Sequence, residues 1–148
     1  MSLEPVVARL KDHEGFREFV YDDATGQPIG PGSVLVGNPT IGYGWALNKL
    51  PILRSFAEGH LRETIQEVAF AVHHQLPWIT ELDVVRHGVV IELAYNLGVT
   101  GLLGFVKMLD ALRRRRWTEA KAELLASHWA TQVGPERRET LARLLETG

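Results

Sequence analysis

Residues 14–44 read EGFREFVYDDATGQPIGPGSVLVGNPTIGYG, and the fold class follows from how this stretch changes character along its length. It opens on Glu14, carries Asp23 nine residues further on, and closes on Thr40-Ile41-Gly42-Tyr43-Gly44. The 19 residues from Gly26 to Gly44 hold six glycines, a density that marks tight turns between short strands. Three β-branched or aromatic runs stand between the turns: Phe19-Val20-Tyr21, Ser33 to Val36, and Pro39 to Tyr43. A small antiparallel sheet of about three strands is expected, with Asp22-Asp23-Ala24-Thr25-Gly26 turning after the first.

Both flanks of the stretch are helical in pattern. Upstream, Pro5 to His13 is predicted to be a helix, with a first-turn proline and Val6, Val7 and Leu10 on one face; Glu14 falls at its end and Gly15 turns the chain away. Downstream, Leu61, Ile65, Val68, Val72 and Leu76 recur at helical spacing until Pro77. Thr80 with Asp83 three residues later predicts a capping box, opening a central helix that buries Leu82, Val85, Val89 and Leu93 and ends at Asn96-Leu97-Gly98. A connector over Thr100 to Gly104 is expected next. Helices are then expected over Phe105 to Arg113, Thr118 to Ala126 with Thr118 as N-cap, and Pro135 to Glu146 after Gly134. The expected class is α+β in one domain: a β-rich lobe over about residues 15–48, helices over about 1–14 and 49–148, and the groove between the lobes as the default site.

Composition narrows the functional classes. A chain of 148 residues with 45% hydrophobic content is long enough for one core. Sixteen basic against 18 acidic residues give a net charge of −2, so no global field favours nucleic acid or a membrane surface. The chain has no cysteine, hence neither disulfides nor a thiolate metal site. Met1 to Leu10 holds no apolar run of signal-peptide length and no 18-residue apolar span occurs, so we expect neither membrane insertion nor a secretory signal. His73-His74 lacks the HExxH spacing, and the glycines lack the ending of a phosphate loop, so no metal and no cofactor are expected. Arg113 to Arg116 is a basic run that reads first as a solvated helix end and only second as a polyanion contact.

Acid–base chemistry on one bond needs two carboxyl groups whose environments separate their pKa values. Glu14, at a helix end between Phe16 and Phe19, is placed for partial desolvation, which keeps a carboxyl protonated; Asp23, in a polar turn, is placed to stay ionised. A protonated and an ionised carboxyl across a groove are what glycosidic cleavage requires. By themselves a Glu and an Asp nine residues apart are unspecific, and they read first as solvated surface carboxylates.

The wider pattern is specific. Glu14-Gly15-Phe16-Arg17, Tyr21, Asp23 and Thr40-Ile41-Gly42-Tyr43-Gly44 resemble the phage-type lysozymes, glycoside hydrolase family 24. The resemblance continues through Tyr95-Asn96-Leu97-Gly98, Gly101, Gly104-Phe105, Arg116-Trp117, Ser127-His128-Trp129 and Pro135-Glu136-Arg137. It implies a lysozyme-like α+β fold and hydrolysis, with inversion, of the β-1,4 bond between N-acetylmuramic acid and N-acetylglucosamine in peptidoglycan glycan strands. By resemblance Glu14 is the general acid, Asp23 holds or activates water, Thr40 hydrogen-bonds that water, and Arg137 sits beside the acid. Tyr95, Asn96 and Gln132 are candidates for lining the substrate groove, amides being able to bond sugar hydroxyls and acetamido groups. Trp117 and Trp129 read as core.

Two departures from the pattern stand out. Residues 24–39 form a longer hairpin than the compact members carry, and Trp45 stands where the family often has histidine. The resemblance further implies a monomeric phage or prophage endolysin, held in the host cytoplasm until a holin releases it to the wall. A lytic transglycosylase would need the glutamate but not Asp23 and Thr40, and a wall-binding structural protein would need none of the three. A nucleic-acid binder rests on Arg113 to Arg116 alone.

Overall fold

A computed structural model describes residues 3–148. The chain forms two compact units, one ending at Phe56 and the other comprising Ala57–Gly148.

In the first unit, α1 (Glu4–Glu14) has a proline in its first turn and stops where the Gly15 N–H donates back to the Lys11 carbonyl at 3.1 Å. The sheet is antiparallel in the order β1 (Arg17–Asp22), β2 (Pro39–Gly42), β3 (Trp45–Ala46). Tyr21 lies opposite Thr40 and Asp22 opposite Pro39; on the other side Thr40 faces Ala46 and Ile41 faces Trp45. The expected strand over Ser33 to Val36 does not form. Val34 and Val36 are largely exposed, and the Val36 and Gly37 N–H groups, which a ladder would use, donate instead to the Asp22 carboxylate. Trp45–Ala46 supplies the third strand.

No apolar residue of this unit is fully buried among those described; its buried residues are Asp22 and Thr40. Hydrogen bonds rather than a hydrophobic core therefore set its local geometry.

The second unit contains most of α2 (Arg54–Gln75), then α3 (Val84–Leu103), α4 (Val106–Arg113), α5 (Trp117–Leu125), α6 (His128–Gln132) and α7 (Pro135–Thr147). On α2 only Val72 is buried; Leu61 and Ile65, which share its helical spacing, are exposed. The expected capping box is replaced by two separate devices. Thr80 Oγ1 donates to the Pro77 carbonyl within a 3₁₀ turn (Pro77–Glu81), and Asp83 itself is the N-cap of α3, accepting from the N–H groups of Val85 and Arg86. Helix α3 breaks at Gly98, whose φ of 72° and ψ of 162° belong to neither helical basin, so Asn96-Leu97-Gly98 does end the first helical run. The chain then re-enters helix through Leu103, where a connector was expected. Helix α5 starts at Trp117 without a side-chain cap, not at Thr118, and α6 was not anticipated at all; Ser127 caps it.

The hydrophobic core lies here: Val89, Val90 and Leu93 of α3 meet Met108 and Leu112 of α4, Leu124 of α5 and Leu145 of α7, with Ile79 and Val72. Each such side chain contributes about 1.5–3 kcal/mol on burial. Trp129 is buried and Trp117 half-buried, as core aromatics should be. Arg86, nearly buried, joins two ends of the unit: Nε donates to the Leu145 carbonyl at 2.8 Å, one terminal nitrogen to the Glu146 carbonyl at 2.7 Å, and the other to Asp83, while its plane lies 4.0 Å from the Trp117 ring centre. In the basic run, Arg114 and Arg116 both pair with Asp110, and Arg116 also with Glu119. No single helix among the described residues is long and apolar enough to cross a membrane.

Candidate active site

Glu14 is the last residue of α1 and lies against the turn between β2 and β3. Its carboxyl occupies the space beside Gly44 that a side chain would fill: a methyl built on Gly44 meets Glu14 Oε2 and comes within 2.9 Å of Cδ. The backbone of Gly44, with φ of 71°, is in the left-handed region. Glycine is thus required there twice, once by conformation and once by the acid seated on it. The apolar surround expected from Phe16 and Phe19 is absent, since both rings are exposed and Phe16 packs against Tyr43 at 5.4 Å between ring centres.

Asp23 follows β1 directly and is gripped at both oxygens. The Asn38 backbone N–H donates to Oδ1 at 2.6 Å and the Asn38 side-chain amide to Oδ2 at 2.9 Å. These two bonds, the backbone one foremost, hold the Asp23 carboxyl below the usual carboxylate range, with Lys49 assisting and Asp22 opposing. Asp23 is therefore ionised, as the sequence led us to expect. Thr40, in β2, is buried, and its hydroxyl donates to the Asn38 carbonyl at 3.2 Å. Its proton is committed, which leaves its lone pairs to receive a hydrogen bond from water. Glu14 and Asp23 thus flank the same short strand, one at the turn that follows β2 and one at the residue that precedes it.

The neighbouring Asp22 does different work. Buried, it accepts from the N–H groups of Ala24 (2.9 Å), Thr25 (3.4 Å), Val36 (2.6 Å) and Gly37 (3.0 Å), closing the root of the long hairpin. The Val36 N–H chiefly, with the other three, holds its carboxyl below the usual range against the opposing effect of burial.

The remaining candidates lie in the second unit. Arg137, in the first turn of α7, donates to Glu92 Oε1 of α3 at 2.9 and 3.2 Å. Tyr95 is exposed on α3 and lines an apolar groove with Leu61, Ile65, Ala69 and Ile91. Asn96 spends its amide on the Glu92 carbonyl of its own helix at 3.1 Å, and Gln132 ends α6 exposed. Sequence reasoning overlooked Asn38, Asp22 and Glu92. Asn38-Pro39 carried a turn signal, and the Asp22-Asp23 doublet offered two carboxylates of which only one was singled out; nothing marked Glu92.

Comparison with known proteins adds a separate line of support. A family model described as phage lysozyme matches residues 11–144. The chain is similar to "Probable T4-type lysozyme 1" of Dictyostelium discoideum, 31% identical over 67 residues, which is 45% of this chain and 39% of that protein. It is also similar to "Probable T4-type lysozyme 2" of the same organism, 28% identical over 157 aligned positions, covering 94% of this chain and 92% of that protein.

Proposed function

The chain belongs to the phage lysozyme family and is on that footing a lysozyme-type glycosidase, and from this premise we propose that it is a muramidase hydrolysing the β-1,4 bond between N-acetylmuramic acid and N-acetylglucosamine in peptidoglycan. The observation that supports this best is the pair of carboxyls around β2. Asp23, kept ionised by Asn38, is no source of a proton. Donation to the leaving oxygen therefore falls to Glu14, seated on Gly44 at the other end of the strand.

On this reading Glu14 protonates the glycosidic oxygen as the bond breaks. A water held by Asp23 and by the lone pairs of Thr40 attacks the anomeric carbon from the other face and inverts it. The water's proton passes to Asp23 and the product is a reducing sugar. Tyr95, Asn96, Gln132 and Arg137 are assigned to glycan binding. The chain acts as one catalytic domain and a monomer, without cofactor or metal, and its biological setting is that of a phage or prophage endolysin, retained in the host cytoplasm until a holin opens the way to the wall. Glu14→Gln tests the assignment: the variant should keep the wild-type melting temperature and lose turbidity clearance of peptidoglycan, and appreciable clearance by it would remove Glu14 from the acid role.

A further inference from the structure

We propose that Asn38, a residue of the long hairpin, is the positioning residue of the site: it fixes the rotation of the Asp23 carboxylate and the direction of the Thr40 hydroxyl together, with Asn48 holding its amide in place. The proposal rests on the hydrolase reading above and concerns how the water is oriented.

Every polar atom of Asn38 is engaged. Its N–H and its side-chain nitrogen reach the two oxygens of Asp23, its carbonyl accepts from the Asp23 N–H at 3.1 Å and the Thr40 hydroxyl at 3.2 Å, and its side-chain oxygen accepts from the Asn48 amide at 3.0 Å. The amide orientation is forced by chemistry. A carboxylate only accepts, so the nitrogen end must face Asp23, and the oxygen end is then the one that Asn48 can donate to. One bond to a carboxylate leaves it free to turn about its Cβ–Cγ axis; two bonds to different oxygens stop that turn. Because Thr40 shares the same residue as its acceptor, the water's two expected partners are set by the N–H, the side chain and the carbonyl of one residue.

Replacing the Asn38 side chain removes one of the two grips and leaves the backbone bonds. In Asn38→Ala the Asp23 carboxyl loses a donor to its charged form, so its pKa rises. Lys49 and Asp22, the other charges acting on Asp23, are unchanged by the substitution. Asn38→Asp goes further, placing a like charge where the donor was. Asn48→Ala should act in the same direction as Asn38→Ala with a smaller effect, because it frees the amide without removing it.

The test measures kcat and KM on soluble glycan fragments as a function of pH, together with the carboxyl-carbon NMR titration of Asp23, for the wild type, Asn38→Ala, Asn38→Asp and Asn48→Ala. We expect kcat to fall by about 10- to 100-fold in Asn38→Ala with KM little changed, the size of loss a small misplacement of a reacting group produces. The Asp23 titration and the acid limb of kcat should both move to higher pH, in the order wild type, Asn38→Ala, Asn38→Asp. An Asp23 titration that stays in place in folded Asn38→Ala overturns the proposal, whether or not the enzyme turns over. So does a titration that moves while kcat and its acid limb do not. A wild type that releases no reducing ends overturns the hydrolase reading, and the catalytic part of this proposal with it; an active wild type with an indifferent Asn38→Ala overturns this proposal alone.

Discussion

Alanine at Gly44 separates what the fold needs from what the chemistry needs. Gly44 has φ of 71°, and Gly42, two residues earlier, has φ of 64°. A non-glycine residue in this region costs about 1–2 kcal/mol, partly offset by the roughly 0.4–1 kcal/mol gained when the unfolded chain loses glycine's freedom. Each alanine variant should therefore lose about 1 kcal/mol, which lowers Tm by roughly 2–4 °C for a chain of this size. The two positions differ in what the new methyl meets. At Gly42 nothing lies within 4 Å, whereas at Gly44 it overlaps the Glu14 carboxyl. Glu14 is exposed and its far end is free to swing aside, so relieving that overlap adds little to the folding cost. It does displace the acid by an ångström or more, and a displacement of that size costs on the order of 100-fold in rate. Thermal unfolding with initial rates of glycan cleavage provides the assay. Similar Tm losses with near-normal activity in Gly42→Ala and a loss of at least about tenfold in Gly44→Ala are expected. Equal activity in the two variants would refute the seating of Glu14 on Gly44.

Two further expectations concern the helical unit. Arg86→Ala removes the partners of the Leu145 and Glu146 carbonyls and the ion pair to Asp83, which keeps its two backbone N–H donors; loss of about 3 kcal/mol in urea unfolding is expected, with activity per folded molecule preserved, and a loss below about 1 kcal/mol would show that the links are dispensable. His87 Nε2 lies 2.7 Å from His73 Nε2, and burial, then the His73 charge, holds the His87 pKa below its ordinary value. The unfolded chain therefore binds a proton at a higher pH than the folded one, and stability falls as pH drops from about 6.5 toward the depressed folded value, flattening below it. His87→Gln should flatten the dependence of Tm on pH over that range, and an unchanged slope would dismiss the pair as its source.

Much of this was legible in residues 14–44, because the features that place the carboxyls are local. A helix ending at Glu14-Gly15, a strand ending beside Asp23, and glycine turns around Thr40 each leave a mark within a few neighbours. The parts that were misread depend on closure over distance. Asp22 and Asp23 are indistinguishable as letters, yet one ends β1 buried under four backbone N–H groups and the other meets Asn38, fifteen residues away. Ser33 to Val36 has strand composition, but the Asp22 carboxylate takes the N–H of Val36 that pairing would need. At Thr80 and Asp83 both cap residues were visible, and only the intervening 3₁₀ turn decided which one caps α3. Five-residue α6 is too short for periodicity to register. Glu92 offered no signal, because an Arg–Glu pair 45 residues apart becomes visible only once α3 and α7 pack.

The most direct measurement is mass spectrometry of the fragments released from purified peptidoglycan by the wild type and by Glu14→Gln side by side. Fragments ending in reducing N-acetylmuramic acid, made by the wild type and not by the variant, are the predicted result. Fragments with 1,6-anhydro ends would contradict hydrolysis through a water at Asp23, and no fragments from a folded wild type would contradict catalysis altogether.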